Sequence, residues 1–363
     1  MSDLEPEVQR RPRLSRRAVA LIVSGAATFM LVAIAFLLPV PFVKLAPGPT
    51  FNVIGESDGQ PVIAIDGAET FPVTGSLDMT TVRESGGPRG GLTFIDAIAS
   101  WFDPQDAVVP RELIYPDDVS GEDVQARQAA LFSTSKSDAI AAALNYLELP
   151  LTSEVIATAV YPDTPADGNF EAGDQIRRLD GAEVIEPRQV VEAIQGAPVG
   201  TDFTFDIRRL GVDSSITVTS ADNPEKPGTP YIGIGVGEFF AAEFEIDFTL
   251  ADIGGPSAGL IFATGIVDKL TPEDLTAGKT IAGTGTITPE GEIGPIGGIR
   301  QKLAGARNDG AELFLMPATH CAEAEGHIPD GLTVAPVKTL TEAIDAIKEW
   351  RAGGSLAQCP MPQ

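Results

Sequence analysis

Histidine is nearly absent from this 363-residue chain: there are two, His320 and His327, both in a polar stretch near the end. Any catalysis that needs a side-chain base must draw on those two or on another residue type. Cysteine is as scarce, with Cys321 and Cys359 alone, which rules out a disulfide-rich scaffold. Basic residues are few as well. Five of the 25 Lys and Arg and three of the 51 Asp and Glu precede Lys44, leaving 20 against 48 and a net charge of −28 on the rest. Such a surface repels phosphate backbones and anionic headgroups, so nucleic acid and anionic lipid are excluded as partners. No internal repeat or low-complexity tract stands out. Nothing in the chain implies a cofactor or a metal.

What is present begins with a run free of charge. Residues 18–38 are apolar, broken only by Ser24, Gly25 and Thr28, and as a helix would span roughly 30 Å, the thickness of a bilayer core. Arg10, Arg11, Arg13, Arg16 and Arg17 crowd its N-terminal flank and Lys44 stands alone on the other. That asymmetry predicts a single-pass span with a cytoplasmic N-terminus. A cleaved signal peptide is the competing reading, with Ala33-Ile34-Ala35 as a cleavage-like triplet. The apolar run is, however, longer than the roughly 7–15 residues of a signal core.

The stretch that organises the rest is Asp252-Ile253-Gly254-Gly255-Pro256-Ser257-Ala258-Gly259. An alternating run (residues 244–250) precedes it and an apolar one (260–267) follows, which predicts strand, tight turn and helix with Ser257 in the first turn. A helix N-terminus offers free N–H groups to a developing oxyanion. A serine hydroxyl still needs a base. Lys302 follows 45 residues later, in Gly294-Pro295-Ile296-Gly297-Gly298-Ile299-Arg300-Gln301-Lys302. Ile299, Leu303 and Ala306 surround it at helical spacing, and an apolar setting favours a neutral lysine amine.

Gly-Pro-Ser-Ala-Gly, then Thr284-Gly285, then Pro-Ile-Gly-Gly and a lysine on the next helix resemble the proteolytic domain of Lon-type serine proteases. The resemblance implies a Ser257–Lys302 dyad, with Thr284 hydrogen-bonding beside the lysine. It implies peptide-bond hydrolysis and, by the habit of the family, a homo-oligomeric ring. Two positions depart from the pattern. Ile253 and Gly254 separate Asp252 from the Gly-Pro-Ser motif, and Thr286 stands where Lon has glutamate; neither is assigned a role. Val73-Thr74-Gly75-Ser76-Leu77 resembles the opening strands of Lon proteolytic domains. On that basis the first 130 or so residues belong with the C-terminal half.

Residues 150–222 have a different grammar: a strand at 156–160, Thr164-Pro165-Ala166, Gly173-Asp174-Gln175-Ile176, Leu179-Asp180-Gly181, a helix at 187–194, then two strands. The order resembles a PDZ domain, which implies capture of an extended peptide at a sheet edge. The usual carboxylate loop would lie near 147–151, which lacks the glycines of the common pattern.

Gly278-Lys279-Thr280 resembles the end of a phosphate loop, but that motif requires glycine at 273 and finds Glu273. Hydrolysis is therefore expected to be independent of ATP. Residues 281–295 are expected to form a hairpin carrying Thr284. Thr339 and Glu342 form a capping box for a last helix with Ala343, Ile344, Ile347 and Trp350 on one face.

The fold class expected is α+β. One N-terminal transmembrane helix (residues 18–43, after a cytoplasmic tail 1–17) is followed by a strand and helix region at 44–147. A PDZ-like domain (148–222) is inserted before or within a Lon-type proteolytic α/β domain (231–351), and a tail (352–363) closes the chain. A Cys321–Cys359 disulfide holding that tail is expected on the oxidising side of a membrane. Two other functions compete: an esterase in which Gly255-Pro256-Ser257-Ala258-Gly259 is a hydrolase elbow and His320 or His327 the base, and a membrane-bound PDZ adaptor without catalysis. His320 is otherwise expected to be either a chance surface residue or a modulator of the site. The reading preferred is an extracytoplasmic, membrane-anchored serine endopeptidase acting on protein or peptide substrates.

Overall fold

A computed structural model describes residues 15–57, 59–87, 91–115, 121–209, 211–224, 226–250 and 254–359. Asp252, Ile253, the arginines at 10, 11 and 13 and the last four residues lie outside them. The chain divides into two compact units, Met1–Leu45 with Glu84–Asp118, and Ala46–Arg83 with Val119–Gln363.

In the first unit, helix Arg16–Leu37 starts behind Ser15, whose Oγ accepts from Ala18 N–H at 3.2 Å. Its Arg16–Ile34 stretch has a mean hydropathy of 2.0 with no part buried, long and apolar enough to cross a membrane. A short antiparallel pair, Pro39–Val40 with Leu92–Thr93, follows it. Helix Phe94–Trp101 then starts at a Thr93 cap. The beginning of strand Phe42–Asn52 pairs with Ala107–Pro110.

Among the described residues, the second unit holds two large sheets beside several two-stranded ones. One runs in the order Thr333–Val337, Leu313–Pro317, Thr280–Gly283, Ser76–Ser85, Phe42–Asn52. Its first four strands are parallel neighbours, as expected where helices cover a sheet. The strands at 281–283 and 313–317 are apolar throughout and buried, as central parallel strands must be. Thr280–Gly283 thus belongs to this sheet and not to a hairpin. The expected hairpin shrinks to Thr286–Ile287 paired with Ile293–Gly294, because residues 280–283 find parallel partners on both sides.

Helix Gly259–Leu270 is the centre of the larger core. It is apolar on every side, and Leu260, Ile261, Phe262 and Ile266 are fully buried. Phe262 meets Phe248 and Phe132 edge-on at 4.7 and 5.8 Å between ring centroids. Helix Gly121–Tyr146 packs Ala139, Ala143 and Leu144 into the same core. Helix Leu340–Arg351 closes it with Ile344 and Ile347, and Thr339 caps it as the sequence predicts.

The second sheet runs Val212–Thr219, Asp202–Arg209, Gln175–Leu179, Leu151–Val160, Ile234–Ala242. Alternation in Asp202–Arg209 turns Phe203, Phe205 and Ile207 onto its core. Asp174 of the Gly-Asp-Gln-Ile motif receives both Nε and Nη2 of Arg209 at 2.7 and 2.6 Å, a bidentate pair that ties the loop to strand Asp202–Arg209. Leu151–Val160 lies inside this sheet, with neighbours on both sides. The strand that ends the order is Ile234–Ala242, beyond the linker. A carboxylate loop at 147–151 would therefore serve an interior strand, not the edge.

Candidate active site

The serine is presented by a turn and not by the helix. Helix Gly259–Leu270 has Ala258 as its N-cap, so Ser257 stands two residues before the first helical one. The small residues around it let the chain fold back tightly, and Gly255 adopts φ +89°, a conformation that side chains with a Cβ rarely take. Two groups of helix Gly121–Tyr146 pin this turn. Gly255 N–H donates to Gln128 O at 3.0 Å, and Ser135 Oγ–H donates to Pro256 O at 3.0 Å. Both are ordinary polar residues on a long helix far upstream. No spacing in the sequence announces them.

The lysine is delivered from the other side. Gly298, left-handed at φ +69°, starts helix Ile299–Asn308, and a Cβ there would meet Val82 Cγ2 at 2.7 Å. Ile299, Leu303 and Ala306 face an apolar cluster with Ala282, Phe314 and Met316, as their spacing predicts. Lys302 sits one turn into this helix and is 3% exposed. Its Nζ lies 2.6 Å from Ser257 Oγ and 2.8 Å from Thr284 Oγ1.

Thr284 joins the two. It follows the central strand Thr280–Gly283, its N–H donates to Leu315 O at 3.0 Å, and its Oγ1–H donates to Ser257 O at 3.0 Å. Gly285 N–H donates to the same carbonyl at 2.9 Å. The residue that bears the nucleophile is thus tied to the residue that touches the amine. The structure brings together all three residues singled out from the sequence, Ser257, Lys302 and Thr284.

Burial lowers the Lys302 pKa from 10.5 to about 7, because an ammonium loses its hydration there. Among the described residues no carboxylate pairs with it to restore the charge. A neutral amine 2.6 Å from a hydroxyl accepts its proton, and Oγ becomes a nucleophile. Among the described residues no group of histidine, cysteine and carboxylates that would hold a metal ion is found.

The histidines are engaged elsewhere. His320 is 8% exposed, which corrects the expectation of a surface residue. Its Nε2 accepts from Ile296 N–H at 2.9 Å, and its Nδ1 lies 3.2 Å from Glu323 Oε2. It therefore fixes the loop that leads into the lysine helix. Its polar surroundings in sequence hid this, because the apolar cluster that buries it comes from other strands. His327 is exposed. Cys321, next to His320, is disulfide-bonded to Cys359 with 5.3 Å between Cα atoms, and both pack on the cluster under the lysine helix.

Residues 251–348 match the Lon protease (S16) C-terminal proteolytic domain, and residues 133–219 match the PDZ domain. The chain is 37% identical over 162 residues to Lon protease of Lachnoclostridium phytofermentans, an alignment covering 40% of this chain and 20% of the relative. It is 38% identical over 93 residues to Lon protease of Buchnera aphidicola, 25% of this chain and 12% of that one. It is 35% identical over 96 residues to the mitochondrial Lon protease homologue of Debaryomyces hansenii, 26% and 9%. The chain therefore spans a fifth or less of the length of these relatives. Among solved structures, the PDZ domain of an SdrC-like protein from Listeria monocytogenes is 24% identical, covering 23% of this chain and 86% of that one with a TM-score of 0.22.

Proposed function

We propose that this chain, which carries a Lon-type proteolytic domain beside a PDZ domain, is a serine endopeptidase working through a Ser257–Lys302 dyad. The observation that carries the reading is the buried amine of Lys302, 2.6 Å from Ser257 Oγ and without a carboxylate partner among the described residues. Neutral Lys302 takes the Ser257 proton as Oγ bonds to the peptide carbonyl carbon. Backbone N–H groups where helix Gly259–Leu270 begins hold the resulting oxyanion. The C–N bond breaks and the ammonium of Lys302 returns the proton to the leaving amine. Water then attacks the acyl ester while Lys302 takes its proton; the carbonyl C–Oγ bond breaks, the acid product leaves, and the ammonium of Lys302 returns the proton to Ser257 Oγ. Thr284 is a positioning residue that aligns the amine with the serine.

The chain's own PDZ module is proposed to recruit protein substrates. The support is the open edge of Ile234–Ala242, which ends its sheet and lies against helix Pro187–Gln195. A peptide added there continues the sheet through backbone hydrogen bonds. Helix Ser137 Oγ accepts from Phe240 N–H at 2.8 Å, so the free part of the edge is toward residue 234.

Residues 16–37 are proposed to anchor the protein with its N-terminus in the cytoplasm and the rest outside. Protease added to cells stripped of their wall then degrades the bulk of the chain; protection of residues 44–363 overturns the orientation. Turnover by these 363 residues without added ATP is expected from the failed phosphate-loop pattern. Assembly as a ring stays an expectation from the family. The reading itself is tested on an unfolded protein substrate with wild type, Lys302→Ala and the His320→Gln/His327→Ala pair, in which glutamine keeps an acceptor for Ile296 N–H but cannot serve as a base. Loss in the first variant alone supports the dyad; loss in the histidine pair alone moves the assignment to an esterase-type elbow. An inert wild type leaves the adaptor.

A further inference from the structure

We infer that helix Phe94–Trp101 with Phe102 is a second membrane contact, an aromatic foot lying in the lipid–water interface where helix Arg16–Leu37 leaves the bilayer. This rests on the reading of that helix as a span. Phe94, Ile95, Ile98, Trp101 and Phe102 recur at helical spacing, and Ser100 is the buried residue of the helix. Trp101 is 79% exposed and Phe102 85%, although both are large and apolar. A lone exposed hydrophobe is ordinary, but a helical stripe of them marks an interaction surface.

What covers the stripe is indicated by its place in the chain. The Phe94 ring lies 5.8 Å from that of Phe36, in the last turn of the apolar helix. The pairing of Pro39 with Thr93 and of Val40 with Leu92 fastens the start of the short helix to the end of the long one. Tryptophan and phenylalanine are therefore held at the level where a spanning helix meets headgroups, the depth that aromatic belts occupy. The charges near the stripe are mainly acidic: Asp96 and Asp103, with Asp106 taken up by Lys44 at 2.5 Å. The contact is thus apolar and suits zwitterionic lipid, with no contribution from anionic headgroups.

The chain has two tryptophans, so Trp350→Phe leaves Trp101 as the reporter in the full-length protein. Reconstituted in phosphatidylcholine vesicles, its emission should fall about twofold or more with lipid brominated near the headgroup, with little relief from salt or from added anionic lipid. Emission quenched freely by aqueous acrylamide and untouched by brominated lipid overturns the proposal. Protection from both quenchers that disappears on dilution into more lipid also overturns it, because a second copy then covers the stripe. A companion protein, Phe29→Trp with Trp101→Phe and Trp350→Phe, reports the span separately. Quenching of Trp at 29 by deeply brominated lipid without quenching of Trp101 refutes the foot and keeps the anchor. Quenching of neither refutes both. Quenching of Trp101 alone keeps the interfacial contact and refutes the span.

Discussion

On the proposed reading, the two large sheets of the larger unit handle a peptide in two ways. The PDZ sheet would offer the backbone groups of its edge strand Ile234–Ala242. The proteolytic half depends on Lys302 Nζ, on a helix, standing within 3 Å of the Ser257 hydroxyl, on a turn, and of the Thr284 hydroxyl, at a strand end. A binding edge tolerates substitution because it rests on main-chain atoms. A dyad tolerates almost none, because one buried amine has no neighbour that can replace it. The contrast predicts that mutations in the first region grade affinity, whereas mutations in the second abolish chemistry.

The sharpest break in that contrast is expected at the dyad. Ser257→Ala and Lys302→Arg should each lower kcat about 10⁴-fold or more, measured on a short peptide. Arginine fails because its guanidinium keeps its proton. Thr284→Val, which keeps shape and removes the hydroxyl, should lower kcat roughly 10–100-fold with KM nearly unchanged, the scale of one buried hydrogen bond. A rise in KM alone would show that Thr284 binds substrate instead. Val191→Asp, on the exposed side of the helix beside the PDZ edge, should raise KM several-fold for a long unfolded substrate and leave a short peptide unaffected. Equal effects on both would mean that the module supports the catalytic fold and recruits nothing. The smallest effect is one of stability. The folded pKa of Lys302 is lowered from 10.5 to about 7, so the unfolded chain binds more protons between those values and stability rises with pH across that window. Lys302→Met should accordingly raise the thermal midpoint at pH 7, and by less near pH 10. A midpoint that falls equally at both would show that the amine is not held neutral.

The sequence announced the residues that touch chemistry but not those that aim them. Ser257 stood out among the small residues around it, Thr284 only through the resemblance to Lon-type domains, and Lys302 through Ile299, Leu303 and Ala306, whose spacing showed which face of its helix is buried. Gln128, Ser135 and His320 did not stand out, since each acts through one hydrogen bond across a long sequence separation. The PDZ pattern was legible up to its last strand. Ile234–Ala242 escaped because it follows a Pro- and Gly-containing linker, a local signal for a boundary, while its pairing with Leu151–Val160 is a long-range fact. The hairpin expected at 281–295 failed for the same reason: alternation specifies a strand but not its neighbours.

The dyad is most directly tested by the pH dependence of kcat/KM on a short peptide between pH 5 and 9. The account predicts a rise through one ionisation near the Lys302 value of about 7, then a plateau. The profile should persist in the His320→Gln/His327→Ala protein, which keeps the acceptor for Ile296 N–H, and vanish with activity in Lys302→Arg. A rise that survives Lys302→Arg, or that the histidine pair abolishes, would contradict the Ser257–Lys302 assignment.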